Sequence, residues 1–288
     1  MNEIFIAAGG DRRLSAAASF FEEKGCTVER VLGCGFDDIG NVIPADYLIL
    51  PMPVTTDGID LSAPDTEKAF PIAGLRSLVK KGGMVFGGRI TPDIRVIFED
   101  QTVIDYSAVE ELAVKNAMIT AEGAISEAMR RQDITLYGQK ILVIGFGRIG
   151  RALVRVLSGF SSDITVAVRR RESSAWVGIS GCRSIMSDRL DADGMPYTLV
   201  FNTAPLEQGR YILDSGILRN MRRDALIIDL ASAPGATDLY AAAEFGIEAV
   251  NLTGVPGRYA PETAGRLIAD TVYDIINSRK EVDKGDLV

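Results

Sequence analysis

The apolar positions of this chain fall into short runs that alternate with stretches of helical spacing. Asn2 to Ala8, Thr27 to Leu32, Asp46 to Leu50 and Gly83 to Phe86 read as strands, with helices over Asp11 to Lys24 and Thr66 to Val79. The strand at Asp46 runs into the loop Pro51 to Gly58, and the one at Gly83 ends in Gly87-Gly88. Alternation of this kind predicts a parallel sheet covered by helices. Ser107-x-x-Glu110 fits a capping box, and a short strand is expected at Ala113 to Asn116. A helix starting near Thr120 and running to about Arg131 then leads through Ile134 to Gln139 into a second region. There Tyr197 to Ala204, Ala225 to Ala231 and Glu248 to Leu252 are nearly continuous apolar runs, as strands buried on both faces require. The stretch from Pro261 to Ser278 is amphipathic and predicts a helix that crosses back onto the first region.

One junction carries chemistry. Lys140 to Gly150, KILVIGFGRIG, is a buried-strand pattern that runs directly into Gly145-x-Gly147-x-x-Gly150 and a helix from Arg148 to Ser158. Gly145 permits the tight turn, Gly147 lets backbone N–H groups approach a pyrophosphate, and Gly150 allows close helix–sheet packing. The helix N-terminus adds its positive end, so Phe146, Arg148 and Ile149 join the three glycines as cofactor-binding candidates. The next strand, Asp163 to Val168, ends in Arg169-Arg170-Arg171, where an NAD site usually places an acid for the ribose 2′-hydroxyl. Arginine suits a phosphate instead. Arg169 and Arg170 therefore favour NADP over NAD. Thr203, Ala204, Pro205, Asp229 and Ala231 end later strands and are expected to face the nicotinamide and its ribose, although Asp229 reads equally well as a buried structural carboxylate.

The fold class expected is α/β, with two doubly wound parallel-sheet domains joined by crossing helices. A flavodoxin-like N-terminal substrate domain would span residues 1–118, with 261–288 packing back onto it, and an NAD(P)-binding Rossmann domain would span 119–260. The cleft is expected at the carboxyl ends of the strands of both sheets.

Composition narrows the chemistry. The 288 residues are 47% apolar and 24% charged, with net charge −8, which argues against nucleic acid as a partner. The longest apolar stretch, around Tyr47 to Val54, is too short to span a bilayer. The N-terminus has no positively charged leader, and Cys26, Cys34 and Cys182 are scattered without a metal spacing. A cytoplasmic protein without a metal is expected. The chain contains no histidine, so proton transfer falls to a carboxylate, another side chain or water.

Several segments together resemble the A-subunit family of dipicolinate synthase. They are Gly9-Gly10-Asp11-x-Arg13, Leu50-Pro51 with Thr55-Thr56, Thr120-x-Glu122-Gly123 and Gly145-x-Gly147-Arg148-x-Gly150. To these add Asp229-Leu230-Ala231-Ser232-x-Pro234-Gly235 and Gly254-x-Pro256-Gly257-x-x-Ala260-Pro261-x-Thr263-Ala264-Gly265. The resemblance implies NADP-linked oxidation of dihydrodipicolinate to dipicolinate in sporulation, together with the flavoprotein-like B-subunit of dipicolinate synthase. A homo-oligomer is also expected.

A ring with two carboxylates needs guanidiniums, hydroxyls or helix N-termini. Arg13, Thr55, Thr56 and Thr120 are the candidates, with Gly88 at a strand end beside them, while Thr120 also suits an N-cap at a helix start. Glu122 or Asp11 would take the proton, directly or through water. Each has a structural alternative: Asp11 as a helix cap, Glu122 as a first-turn carboxylate. Two other functions stay open, a different NAD(P)-dependent dehydrogenase of a small amino or keto acid, and a non-catalytic NADP-binding component.

Overall fold

The computed structural model describes residues 3–32, 42–64, 66, 68–160, 163–190, 194–206 and 208–285. The chain divides into two compact units, one of Met1–Asn116 with Ala260–Val288, the other of Ala117–Tyr259. Asn2 and Cys34 lie outside the described residues, and Cys26 and Cys182 are free thiols.

In the first unit β1 (Ile4–Ala8), β2 (Thr27–Val31), β3 (Ala45–Ile49), β4 (Val79–Gly87) and β5 (Thr102–Asp105) form a parallel sheet in the order β2-β1-β3-β4-β5. Its strands alternate between two apolar clusters, as the period of two dictates. Phe5, Ala7, Ile49 and Phe86 pack with Leu14, Phe21 and Val272 from α1 (Arg12–Glu23) and α9 (Pro261–Gly285). Ile6, Ala8, Leu48 and Val85 pack on the other face with Leu75, Ile94 and Phe98. The helix α9 lies against α1 so closely that a Cβ on Gly265 would stand 2.2 Å from the Arg13 carbonyl oxygen. Only glycine fits there.

The second unit holds β6 (Lys140–Ile144), β7 (Asp163–Val168), β8 (Arg183–Met186), β9 (Leu199–Asn202), β10 (Leu226–Asp229) and β11 (Glu248–Asn251). These strands are parallel, in the order β11-β10-β9-β6-β7-β8. The chain order reverses at β6, between β9 and β7, which is the switch point where such sheets bind ligands. Ile141 and Val143 enter one core cluster, Leu142 and Ile144 the other, so both faces are covered.

Three expectations fail locally. The strand at Ala113 to Asn116 and the helix starting near Thr120 are one continuous helix, α3 (Glu110–Arg131). Buried Leu112, Ala117, Ala121, Ala124, Ile125 and Ala128 recur at helical spacing, and exposed Val114 gave the misleading strand signal. Thr120 and Glu122 therefore sit in mid-helix, so Thr120 is no N-cap and Glu122 no first-turn carboxylate. Ser107 lies in a 3-10 turn (Tyr106–Ala108) ahead of this helix and donates its hydroxyl to Asp105 at 2.5 Å. Thr66 to Val79 is not an α-helix either. A 3-10 segment at Ile72–Leu78 follows extended Pro71, which bridges Asp60, and β4 begins at Val79. Among the described residues, no helix is long and apolar enough to cross a membrane.

Candidate functional site

In the second unit, segments following β6, β7, β8 and β9 line a cavity of about 590 Å³. Gly145, Phe146 and Gly147 form one wall, Arg169, Arg170 and Ser173 the next, and Ser187 with Asp188 the end beyond β8. Thr203, Ala204 and Pro205, followed by residues 208 and 210–212, close the remaining side.

The glycines divide the labour. Gly145 has φ +93°, a conformation that an L side chain rarely adopts, and a Cβ there would meet the Thr203 hydroxyl at 2.6 Å. A Cβ on Gly150 would lie 2.1 Å from the Gly145 carbonyl oxygen, so Gly150 serves helix packing. Gly147 is different: a Cβ on it would meet no protein atom within 4 Å. It is the N-cap of α4 (Arg148–Leu157) and makes no side-chain cap, and the positive end of the helix suits an anionic ligand. Open space at Gly147 and a helix N-terminus fit the pyrophosphate of a nicotinamide dinucleotide.

Of the sequence-derived cofactor residues, Gly145, Phe146, Gly147, Arg169, Arg170, Thr203, Ala204 and Pro205 meet in this cavity. Arg148, Ile149, Gly150, Asp229 and Ala231 do not line it. For Asp229 the reason is explicit. Its carboxylate is 1% exposed and accepts from Asn202 Nδ2 (2.9 Å) and from the N–H groups of Ala231 (3.0 Å), Ala236 (2.7 Å) and Thr237 (2.8 Å). Those four donors fill its acceptor capacity, and they knit the ends of β9 and β10 together. The cofactor role expected for Asp229 gives way to its structural one, and Ala231 is tied to it.

In the first unit, segments following β1, β3, β4 and β5 bring together Asp11, Arg13, the loop after Leu50, and Gly88. Asp11 caps α1, accepting from the Arg13 N–H at 3.0 Å. It also holds the Arg13 guanidinium, whose Nε donates to it at 2.9 and 3.0 Å, while an Arg13 terminal nitrogen donates to the Met52 carbonyl at 2.8 Å. Asp11 thus positions Arg13. Thr55 Oγ1 donates to Asp57 (2.9 Å) and accepts from the Gly58 N–H (2.9 Å), folding its own loop, whereas Thr56 is exposed. Gly88 is a packing glycine: a Cβ there would approach the Met52 side chain to 2.5 Å. Buried Tyr106 donates to the Leu50 carbonyl (2.9 Å) and fixes the start of the same loop. Thr120, buried, and Glu122, exposed, belong to the second unit, so the structure assigns them to a different body from Asp11 and Arg13.

Sequence reasoning did not name Ser173, Ser187, Asp188, Gln208, Arg210, Tyr211 and Ile212. The signal was present in part. A third strand after β7 was required by the topology, and its carboxyl end is Ser187-Asp188, but β8 is only four residues long and half-buried.

Residues 5–106 match the family described as the N-terminal domain of the dipicolinate synthase A-subunit. Residues 108–243 match the NAD binding domain of D-isomer specific 2-hydroxyacid dehydrogenases. The dipicolinate synthase A-subunit of Bacillus subtilis (strain 168) is 31% identical over 167 residues, a stretch that spans 58% of this chain and only 55% of that relative. The solved structure of the same synthase component from Bacillus subtilis has a TM-score of 0.83 at 25% identity, covering 98% of each chain. The dipicolinate synthase A-subunit from Bacillus halodurans also has a TM-score of 0.83, at 23% identity, covering 95% of this chain and 97% of that one.

Proposed function

We propose that this chain, an NAD(P)-dependent oxidoreductase akin to the dipicolinate synthase A-subunit, oxidises dihydrodipicolinate to dipicolinate with NADP as acceptor. The observation that carries the cofactor choice is the pair Arg169 and Arg170 on the cavity wall after β7, with no carboxylate from that segment among the described wall residues. A bound nicotinamide cofactor would supply the acceptor for a hydride from a ring carbon of the substrate. The second hydrogen leaves as a proton, and the ring becomes an aromatic pyridine. Gain of aromaticity drives the reaction, so no strong base is needed, in keeping with a chain that lacks histidine.

The chain's own residues bind, orient and accept the proton. Arg13, oriented by Asp11, offers its guanidinium to a substrate carboxylate, with the exposed Thr56 hydroxyl as a further donor and the backbone at Gly88 beside the loop. Glu122, exposed on α3, accepts the proton directly or through water. Asp11, already paired three ways, is a poorer acceptor and a better anchor. The relative's name is that of one component of a larger enzyme. The proposal extends to a cytoplasmic enzyme in which the chain works with a flavoprotein-like partner component and as a homo-oligomer.

Purified chain, supplied with NADP and freshly made dihydrodipicolinate, tests the reading. Absorbance growth from both NADPH and dipicolinate supports it. Growth only after addition of the partner component supports a non-catalytic binding role. Comparable turnover of unrelated keto or amino acids supports a dehydrogenase of small acids, the reading that the match over residues 108–243 favours as second.

A further inference from the structure

We infer that Arg210 is a third guanidinium of the ribose 2′-phosphate subsite, brought to the dinucleotide cavity by the loop after β9. The inference deepens the NADP reading and rests on it.

The loop is pinned at both ends. At its start, Thr203 donates its N–H and its hydroxyl to the Ile144 carbonyl, each at 2.8 Å. At its finish, Ile212 and Leu213 donate to the Ala236 carbonyl at 2.8 and 3.2 Å. Between these anchors Gln208 (φ +49°) and Gly209 (φ +76°) are consecutive left-handed residues. Glycine adopts that conformation freely, but glutamine does so at a conformational cost that the surroundings must hold in place. The reversal comes immediately before Arg210, which lines the cavity with Tyr211.

Charge then points to a ligand. Arg210 has no hydrogen-bond or ion-pair partner among the described residues. Among other exposed arginines, Arg76 pairs with Glu99 and Asp100, Arg222 with Asp224, and Arg266 with Glu23. In a chain with 39 acids and 31 bases, three arginines share one cavity whose only lining acid, among the described residues, is Asp188. Like charges gathered around a cavity are unfavourable until an anion joins them. The pyrophosphate already has the amides of the glycine loop and the N-terminus of α4. A cation from the loop after β9, added to Arg169 and Arg170, matches an extra dianion on the adenosine ribose, which NADP has and NAD lacks.

Calorimetric titration of NADP and NAD into wild type, Arg210→Ala and Arg210→Lys tests this, with NAD measured by competition where it binds weakly. Loss of a charge-assisted phosphate contact should raise the NADP Kd of Arg210→Ala by about tenfold or more. The NAD Kd should stay within about twofold, and lysine should recover part of the NADP affinity as a point charge. Unchanged NAD affinity doubles as the check on folding. Equal weakening of both cofactors would assign Arg210 to the pyrophosphate or to loop support and overturn the inference, as would no change in either. A wild type that prefers NAD would instead defeat the parent reading, before any variant is made.

Discussion

Gly150 packs against Gly145 so tightly that a single added methyl would lie 2.1 Å from the Gly145 carbonyl oxygen. Three residues earlier, at Gly147, the same methyl would meet no protein atom, and the backbone there has φ −82°, which alanine adopts easily. The two substitutions should therefore separate folding from binding. Gly150→Ala costs about 1–3 kcal/mol or more by overpacking and lowers Tm by several degrees. Gly147→Ala keeps its Tm and loses dinucleotide affinity, because the methyl occupies space meant for phosphate. Thermal unfolding with and without cofactor checks both, and a Gly147→Ala protein that binds normally would contradict the assignment.

The carboxylate of Glu127 sets a stability limit in acid. It is 2% exposed and accepts from the Tyr259 hydroxyl and from Arg130 (2.7 Å) and Arg131 (2.5 Å); Arg131 also reaches Glu248 (2.8 Å). The Tyr259 hydrogen bond, opposed by burial and supported by the two arginines, holds its pKa down to about 2 from an ordinary 4.5. The folded value lies below the unfolded one. This contribution is therefore complete above about pH 4.5 and is lost as pH falls through 2. Glu127→Gln should lower Tm at pH 7, and the gap to wild type should narrow as pH drops below 4.5. A gap equally wide at pH 7 and pH 3 would contradict this.

Asp229 gives a prediction about folding rather than chemistry. Asparagine in its place would turn an amide donor toward N–H groups that need an acceptor. Asp229→Asn should cost about 2–4 kcal/mol in urea unfolding, through unsatisfied buried donors. Normal stability with lost turnover would instead restore the carboxylate to the nicotinamide.

How much of the site was legible in the sequence depended on how local each signal is. The glycine loop was legible because three glycines, a strand and a helix sit within eleven residues, and every lining residue from Gly145 to Gly147 was named. Arg169 and Arg170 followed from strand spacing. Arg210 did not, since the turn that presents it depends on a left-handed Gln208 that no residue preference announces. The double role of Asp229 could be posed but not decided, because its donors come from residues up to 27 positions away. The start of α3 was misplaced since exposed Val114 imitates a strand while the buried alanines that define the helix carry little hydropathy.

Glu122 is the proposed proton acceptor, and Glu122→Gln tests it. The variant should lose about tenfold or more in kcat, within the range for a general base, while its NADP affinity is unchanged. Unchanged turnover would remove Glu122 from the role and leave water as the acceptor.

The central proposal is that the cavity at the ends of β6, β7, β8 and β9 binds a 2′-phosphorylated pyridine nucleotide. Titrating NADP and NAD into the purified chain at one fixed salt concentration tests it most directly. NADP should bind at least about tenfold more tightly, a difference of about 1.4 kcal/mol, and the advantage should shrink as salt rises. Equal affinities, or a preference for NAD, would contradict it.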